Sequence, residues 1–216
     1  EIALKTFAKN HDNSKTLNLD LHRDEAIDQI VESTEGKEID VIIGGPPCQG
    51  FSLTGTRNEN DERNTLFNAM FRLAKRVNPK AIIIENVPGL LKLYNGKAKK
   101  EIIDLCKEYG YTCNPQLLFA PDYGVPQIRK RVFFVALRND LGTFEFPEKQ
   151  YSAQNYIGCK SAIDDLPDLE FDLGANELKY NKKPKTEYQK TMRNGNKVIF
   201  NHVGTKHTEH VIDVIS

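Results

Sequence analysis

"VIIGGPPCQGFS" (residues 41–52) runs an apolar segment into two glycines, two prolines and a thiol. The Val-Ile-Ile run suits a buried strand, and the Gly-Pro cluster after it ends that strand at a turn. Pro46 and Pro47 each lock a backbone φ, which stiffens the loop just ahead of Cys48. Gly44, Gly45 and Gly50 let backbone approach a ligand closely. Cys48 therefore reads in one of two ways: a small buried hydrophobe beside a turn, or a nucleophile aimed from a rigid loop. The two prolines and the polar Gln49 favour the nucleophile. A thiol with an ordinary pKa of about 8.5 is mostly protonated at neutral pH, so that role needs activation or a reaction that selects the thiolate.

Outward from this stretch, helix and strand patterns alternate. Residues 1–10 read as a helix with Ile2, Leu4, Phe7 and Ala8 along one side, and "KTLNLDL" (15–21) as a short strand. Asp24 to Glu35 fits an amphipathic helix with Ala26, Ile27, Ile30 and Val31 inward. "IDVIIGG" (39–45) is a continuous apolar strand of the kind buried on both faces. A helix over 65–77 places Leu66, Met70, Leu73, Ala74 and Val77 at helical spacing and stops before Pro79. "AIIIENV" (81–87) is a second buried strand, 98–109 a helix ending at Gly110, and "TCNPQLLFA" and "KRVFFVALR" an antiparallel pair at one edge. The alternation predicts an α/β fold, a doubly wound and mostly parallel sheet with helices on both faces. Such sheets bind ligands at strand carboxyl ends, where both "GGPPCQ" and "ENV" fall.

Residues 1–147 thus read as one catalytic domain, and 148–216 as a polar, Lys/Asn-rich excursion that opens a second region. The sequence starts within a helical pattern and without an initiator Met, as if cut from a longer chain. Its 30 basic residues balance 30 acidic ones, so no whole-chain field announces a nucleic-acid partner, although a basic cleft can sit on a neutral molecule. Four cysteines without a CxxC pair or zinc-like spacing read as reduced thiols of a cytosolic protein with no metal site. No apolar run approaches membrane-spanning length, which predicts no membrane partner.

Two further groups carry chemistry. Glu85 closes the apolar strand "AIIIE". Burial there would raise its pKa and leave a neutral acid able to donate a hydrogen bond; a strand-end carboxylate reaching water is the equal alternative. "QIRKR" (127–131) places Arg129 and Arg131 two apart, on one face of a strand. Paired guanidinium groups suit a carbonyl or phosphate, but charges that merely protect a sheet edge are the commoner reason for such a pattern.

Taken together these segments resemble the catalytic core of a cytosine-5 DNA methyltransferase. "GGPPCQGFS" is similar to the family's nucleophile loop, "ENV" to its catalytic glutamate and "QIRKR" to its Gln-x-Arg-x-Arg signature, in the family's order. "DERNTLF" (61–67) and "GVPQIRKRVFFVA" (124–136) match as stretches, and "NHVGTKHTEHVIDVI" (201–215) more loosely. The resemblance implies a Rossmann-like fold that uses S-adenosylmethionine as methyl donor and acts on double-stranded DNA, in a bacterial restriction-modification system. It implies that Cys48 attacks carbon-6 of a flipped cytosine while Glu85 stabilises the ring at N3. Arg131 then holds the nucleophile side of the base and Arg129 lies close to its carbonyl, their division of work left open. Gln49 and Ser52 would lie against the DNA. For the cofactor, the resemblance assigns Glu1 to the ribose, Ile2 to the adenine face, Asp20 to the adenine amino group with Leu21 beside it, and Pro47 and Leu66 to the rest of the pocket.

The sequence departs from the family pattern at both ends: the first strand with its Gly-rich Phe-x-Gly-x-Gly loop, the recognition domain and the closing motifs are not seen. The expectation is a fold incomplete at both ends, inactive by itself. Alternatives are an RNA cytosine methyltransferase of the same fold, similar to the branch acting on transfer RNA, an inactive DNA-binding relative, and a cysteine hydrolase. The hydrolase lacks a histidine partner motif, and "HTEH" (207–210) reads better as solvated helix than as a metal pair.

Overall fold

The computed structural model describes residues 2–47, 65–169, 173–205, 207–208, 211 and 214. The chain divides into two compact units, one of residues 1–119 with 129–148, the other of 120–128 with 149–216. The second unit takes residues 120–128 from within the stretch that the linear reading assigns to the catalytic domain.

In the first unit a four-stranded sheet has the order β1-β2-β4-β3, with β1 Val41–Gly44, β2 Ala81–Asn86, β3 Tyr111–Phe119 and β4 Lys130–Arg138. β1 and β2 run parallel, Val41 opposite Ala81 and Gly44 opposite Ile84. β4 is antiparallel to both neighbours, with Glu85 opposite Phe133 on one side and Leu118 opposite Arg131 on the other. The described strands thus make a mixed sheet, its antiparallel pair continuing directly from β2.

One face of this sheet is covered. Period-2 alternation sends Ile42, Ile82, Ile84, Val132, Phe134 and Ala136 to the same side, where they form one core with α3 (Thr65–Val77) and α4 (Lys97–Glu108). Phe71, Phe134 and Ile82 are fully buried there, each worth roughly 1.5–3 kcal/mol over exposure. The stripe that α3 turns fully inward is Phe67, Met70, Phe71 and Ala74, rotated from the expected one; Leu66, Leu73 and Val77 are half-buried at its border. Asn78 takes a left-handed φ of 44° and closes the helix with its N–H on the Ala74 carbonyl, which leaves Pro79 to start the next segment. Gly110, at φ 84°, closes α4 in the same way. α2 (Asp24–Ser33) buries Ala26 and Ile27 and is tied to α3 by Arg72 on Asp24 and on the Leu21 carbonyl, and by Arg76 on Asp28.

Two expectations fail here. β1 is not buried on both faces: Ile42 is 8% exposed but Ile43 is 73%. β1 is the end strand of the described sheet, which leaves Ile43 largely open. Residues 15–21 form no strand, because they find no ladder partner among the described residues; Lys15 instead reaches Glu35 and the Ser33 carbonyl. α1 (Ile2–Asn10) forms as expected but buries none of its residues.

In the second unit, β5 (Gly174–Lys179) and β6 (Val198–Val203) pair antiparallel, beside α5 (Cys159–Ile163) and α6 (Glu187–Arg193). Thr186 and Gln189 cap α6 reciprocally, a full capping box. Arg193 closes the unit: its Nε lies 2.6 Å from Asp165 Oδ2, its Nη2 donates to the Lys182 carbonyl, and it stacks 3.6 Å from the Tyr180 ring centroid. The polar composition of 148–197 hides this arrangement, since its core is an ion pair rather than an apolar run.

Candidate functional site

Glu85 is the penultimate residue of β2 and points to the face of the sheet away from α3 and α4, as period 2 requires. Its Oε1 accepts from Arg131 Nε at 2.9 Å, with Arg129 Nη2 at 4.0 Å from the same oxygen. The antiparallel register explains the meeting: Arg131 stands two residues along β4 from Phe133, the residue opposite Glu85, hence on the same face. Arg131 also donates to the Lys130 carbonyl. Glu85 is not sealed in an apolar pocket, since its side chain is 34% exposed and ion-paired. Arg129 lies just before β4 rather than within it, yet reaches the same carboxylate.

The glycines and prolines after β1 pass next to this acid. A Cβ built on Gly45 would stand 3.4 Å from Glu85 Oε2, so the backbone runs alongside the carboxylate. Asn86 follows Glu85 and is buried on the core face; its Nδ2 donates to the Pro46 carbonyl at 3.0 Å while its Oδ1 accepts from the Val87 N–H at 2.8 Å. Asn86 is the residue that sequence reasoning passed over. The signal was its place in "ENV", a polar side chain on the buried face of an apolar strand, which must find partners. Cys48, Gln49 and Ser52 lie outside the described residues, as does Glu1.

The residues assigned to a cofactor fall in several places. Leu21, Pro47 and Leu66 line one apolar cavity of about 310 Å³ together with Ile27, Ile42 and Met70. Gly44 forms part of its wall, and a Cβ there would come within 2.7 Å of Met70 Sδ. Asp20 precedes Leu21 and is not among the lining residues; its Oδ1 accepts from the His22 N–H at 3.1 Å and lies 2.9 Å from His22 Nδ1. The His22 ring and backbone N–H hold the Asp20 carboxyl below the usual carboxylate range. Ile2 is 82% exposed and does not line the cavity. Among the described residues no cluster of His, Cys, Asp and Glu could hold a metal ion, and no helix is long and apolar enough to cross a membrane.

Comparison with known proteins matches residues 1–214 to the model of the C-5 cytosine-specific DNA methylases. The chain is 39% identical over 183 residues to the type II methyltransferase M.DdeI of Desulfomicrobium norvegicum, covering 82% of this chain and 44% of that protein. It is 41% identical over 171 residues to M.FnuDI of Fusobacterium nucleatum, covering 76% and 46%. Among solved structures, a protein of an E. coli prophage described as a DNA modification methyltransferase superposes with a TM-score of 0.74 at 27% identity, covering 98% of this chain and 64% of that one. The chain therefore spans less than half the length of these two curated relatives. The matched family model, which runs through the glutamate, the arginines and the loop between the two, makes this chain a member of the C-5 cytosine-specific DNA methylase family.

Proposed function

We propose that the protein transfers a methyl group to carbon-5 of a cytosine turned out of double-stranded DNA, as the methyltransferase of a type II restriction-modification system. The observation that carries this reading is the convergence at one rim of the sheet. Glu85, Arg131 and Arg129 meet at the carboxyl end of β2, and Gly45-Pro46, which lead to Cys48, run beside them.

In this reading the Cys48 thiolate adds to carbon-6 of the ring, and the electron pair of the 5,6 double bond moves toward carbon-5. Glu85 offsets the charge that develops at N3, held for that task by Arg131. Arg129, more exposed and farther from Glu85, is free to turn to the exocyclic carbonyl. A stacked and paired base offers none of these atoms, so the cytosine must leave the duplex, and Gln49 and Ser52 are proposed to lie against the DNA it vacates. S-adenosylmethionine, when bound, supplies the methyl group as an electrophile. Loss of the carbon-5 proton then restores the double bond and expels the Cys48 thiolate.

The apolar cavity supports the cofactor assignment. Its size is at the lower end for ligand pockets, its walls from Leu21, Pro47 and Leu66 suit a flat heterocycle, and it ends at the Pro46-Pro47 segment that precedes the nucleophile. Asp20, kept ionised by His22, is the acceptor available for an amino group. Glu1 and Ile2 are proposed at the ribose and the adenine face.

Trapping tests the reading. The full-length protein is incubated with S-adenosylmethionine and, in parallel, duplex DNA or RNA carrying 5-fluorocytosine, in which fluorine blocks the elimination that follows methyl transfer. A covalent adduct that disappears in Cys48→Ser is expected. An adduct formed only with RNA, or none with either, overturns the proposal.

A further inference from the structure

The loop that closes β3 to β4 carries more internal order than a connection needs. Residues 120–128 form an arch with three internal backbone bonds: Gly124 N–H donates to Pro121 O, Val125 N–H to Ala120 O and Gln127 N–H to Val125 O. Segment 149–159 lies across this arch at Asp122, Gly124 and Pro126. Lys149 Nζ is 2.8 Å from Asp122 Oδ2 and Tyr156 donates to Asp122 Oδ1 at 2.6 Å. The Gln150 and Tyr151 N–H groups both donate to the Asp122 carbonyl, at 2.9 and 3.0 Å. The Tyr151 ring occupies the space where a side chain on Gly124 would stand, with Cε2 2.8 Å from a Cβ built there. Cys159 Sγ donates to the Pro126 carbonyl at 3.4 Å. Asp122 is the hub, and its side chain is only 5% exposed.

A buried carboxylate without partners is costly, so a chain does not hold one here idly. Here Lys149 and Tyr156 satisfy it with charge-assisted bonds, which are the stronger kind. The arch runs without a break into Arg129 and Arg131, the two guanidinium groups on Glu85. Every backbone torsion left free in the arch is conformational entropy available to Arg129.

We infer that Asp122 is a positioning residue, which straps segment 149–156 across the arch and thereby restricts the backbone that delivers Arg129 to the reacting base. The part concerning the base rests on the methyltransferase reading above; the strap itself does not.

The experiment uses the full-length protein and two variants, Asp122→Asn and Tyr156→Phe. Backbone hydrogen exchange is followed over 117–131 and 147–157, adduct formation on 5-fluorocytosine duplex DNA gives the chemical step, and anisotropy gives duplex affinity. Asp122→Asn is expected to speed exchange at 124–127 and 150–151 by about tenfold, the loss of a charge-assisted bond. It is expected to slow adduct formation by about tenfold while duplex affinity stays within about threefold, a split that general unfolding does not produce. Unaltered exchange at 124–127, or unaltered adduct formation once those amides are freed, overturns the inference. Should Asp122→Asn unfold the whole chain, Tyr156→Phe decides by the same pattern at about threefold, and no change in that variant overturns the inference. Wild-type protein that yields no adduct defeats the methyltransferase reading instead, and the exchange data then judge the strap by itself.

Discussion

Asn86 donates through its side-chain amide to the Pro46 carbonyl at 3.0 Å, which ties the residue after the site glutamate to the loop that precedes Cys48. The bond crosses from β2 to the end of β1, so two strand ends that the sequence separates by 40 positions are held in register. Asn86 satisfies both of its polar ends, the amide on Pro46 and the oxygen on the Val87 N–H.

Replacement of Asn86 tests this tie. Asn86→Asp keeps the shape but turns a donor into an acceptor facing the Pro46 carbonyl. A loss of about 1–3 kcal/mol is expected from the buried, mismatched pair, together with slower adduct formation. Denaturant unfolding and 5-fluorocytosine trapping measure the two, and a variant as stable and as fast as wild type contradicts the assignment.

Glu85→Gln separates chemistry from stability. The Arg131 pair is part-exposed, so its removal should alter stability by no more than about 1 kcal/mol. Adduct formation should fall by roughly 10²–10⁴-fold, the range for loss of a positioned acid–base group. A variant that loses stability heavily and rate only slightly shows that Glu85 serves the fold.

Gly44→Ala probes the cavity wall. The new methyl would stand 2.7 Å from Met70 Sδ, and Met70 is buried, so about 1–3 kcal/mol of overpacking is expected. Met70→Ala should relieve that cost, giving a coupling of roughly 0.5–3 kcal/mol in a double-mutant cycle. Additive costs would mean that Met70 turns aside freely.

In the second unit, Asp165→Asn leaves the Arg193 guanidinium, 12% exposed, without its counter-charge. Breaking a buried pair from one side costs about 3–5 kcal/mol, and the loss should appear as faster proteolysis of 149–205 rather than of the four-stranded unit. Arg193→Leu, paired with Asp165→Leu, should recover part of it.

Asp122 sets a pH window. Lys149 first and Tyr156 second hold its carboxyl below the usual range, while Asp122 raises both Lys149 and Tyr156. Tyr123 also faces Lys149 and favours its charge. A lowered carboxylate stabilises fully above its unfolded pKa of about 3.9 and ceases to do so as pH falls through the folded value. The raised lysine and tyrosine act in the opposite sense, stabilising below about pH 10 and fading above it. The difference in melting temperature between wild type and Asp122→Asn should therefore hold between about pH 5 and 9 and shrink below about pH 4. A constant difference down to pH 2 would contradict the pairing.

Periodicity located α2, α3, α4 and the four sheet strands because their apolar residues repeat at the spacing of a buried face. It misjudged the facing of α3 by a partial turn, since Leu66, Leu73 and Val77 compete equally with Phe67 and Phe71 until a sheet is supplied to bury one set. Residues 15–21 alternate as a strand should, but alternation states only a preference and a ladder needs a neighbour. The Asp122 and Arg193 clusters were invisible because a polar side chain carries no mark of its partner, and these partners lie 27 and 28 positions away.

By itself, the amino-acid sequence offered side chains able to do chemistry: an acid ending an apolar strand and two arginines spaced by two, with a thiol behind two prolines that lies outside the described residues. Only the tertiary structure decided that Arg131 and Arg129 share one oxygen of Glu85, that Asn86 fastens Pro46, and that Leu21, Pro47 and Leu66 face one cavity. The reason is physical: residue type and spacing act along the chain, whereas strand order and register are set by which faces can be buried together.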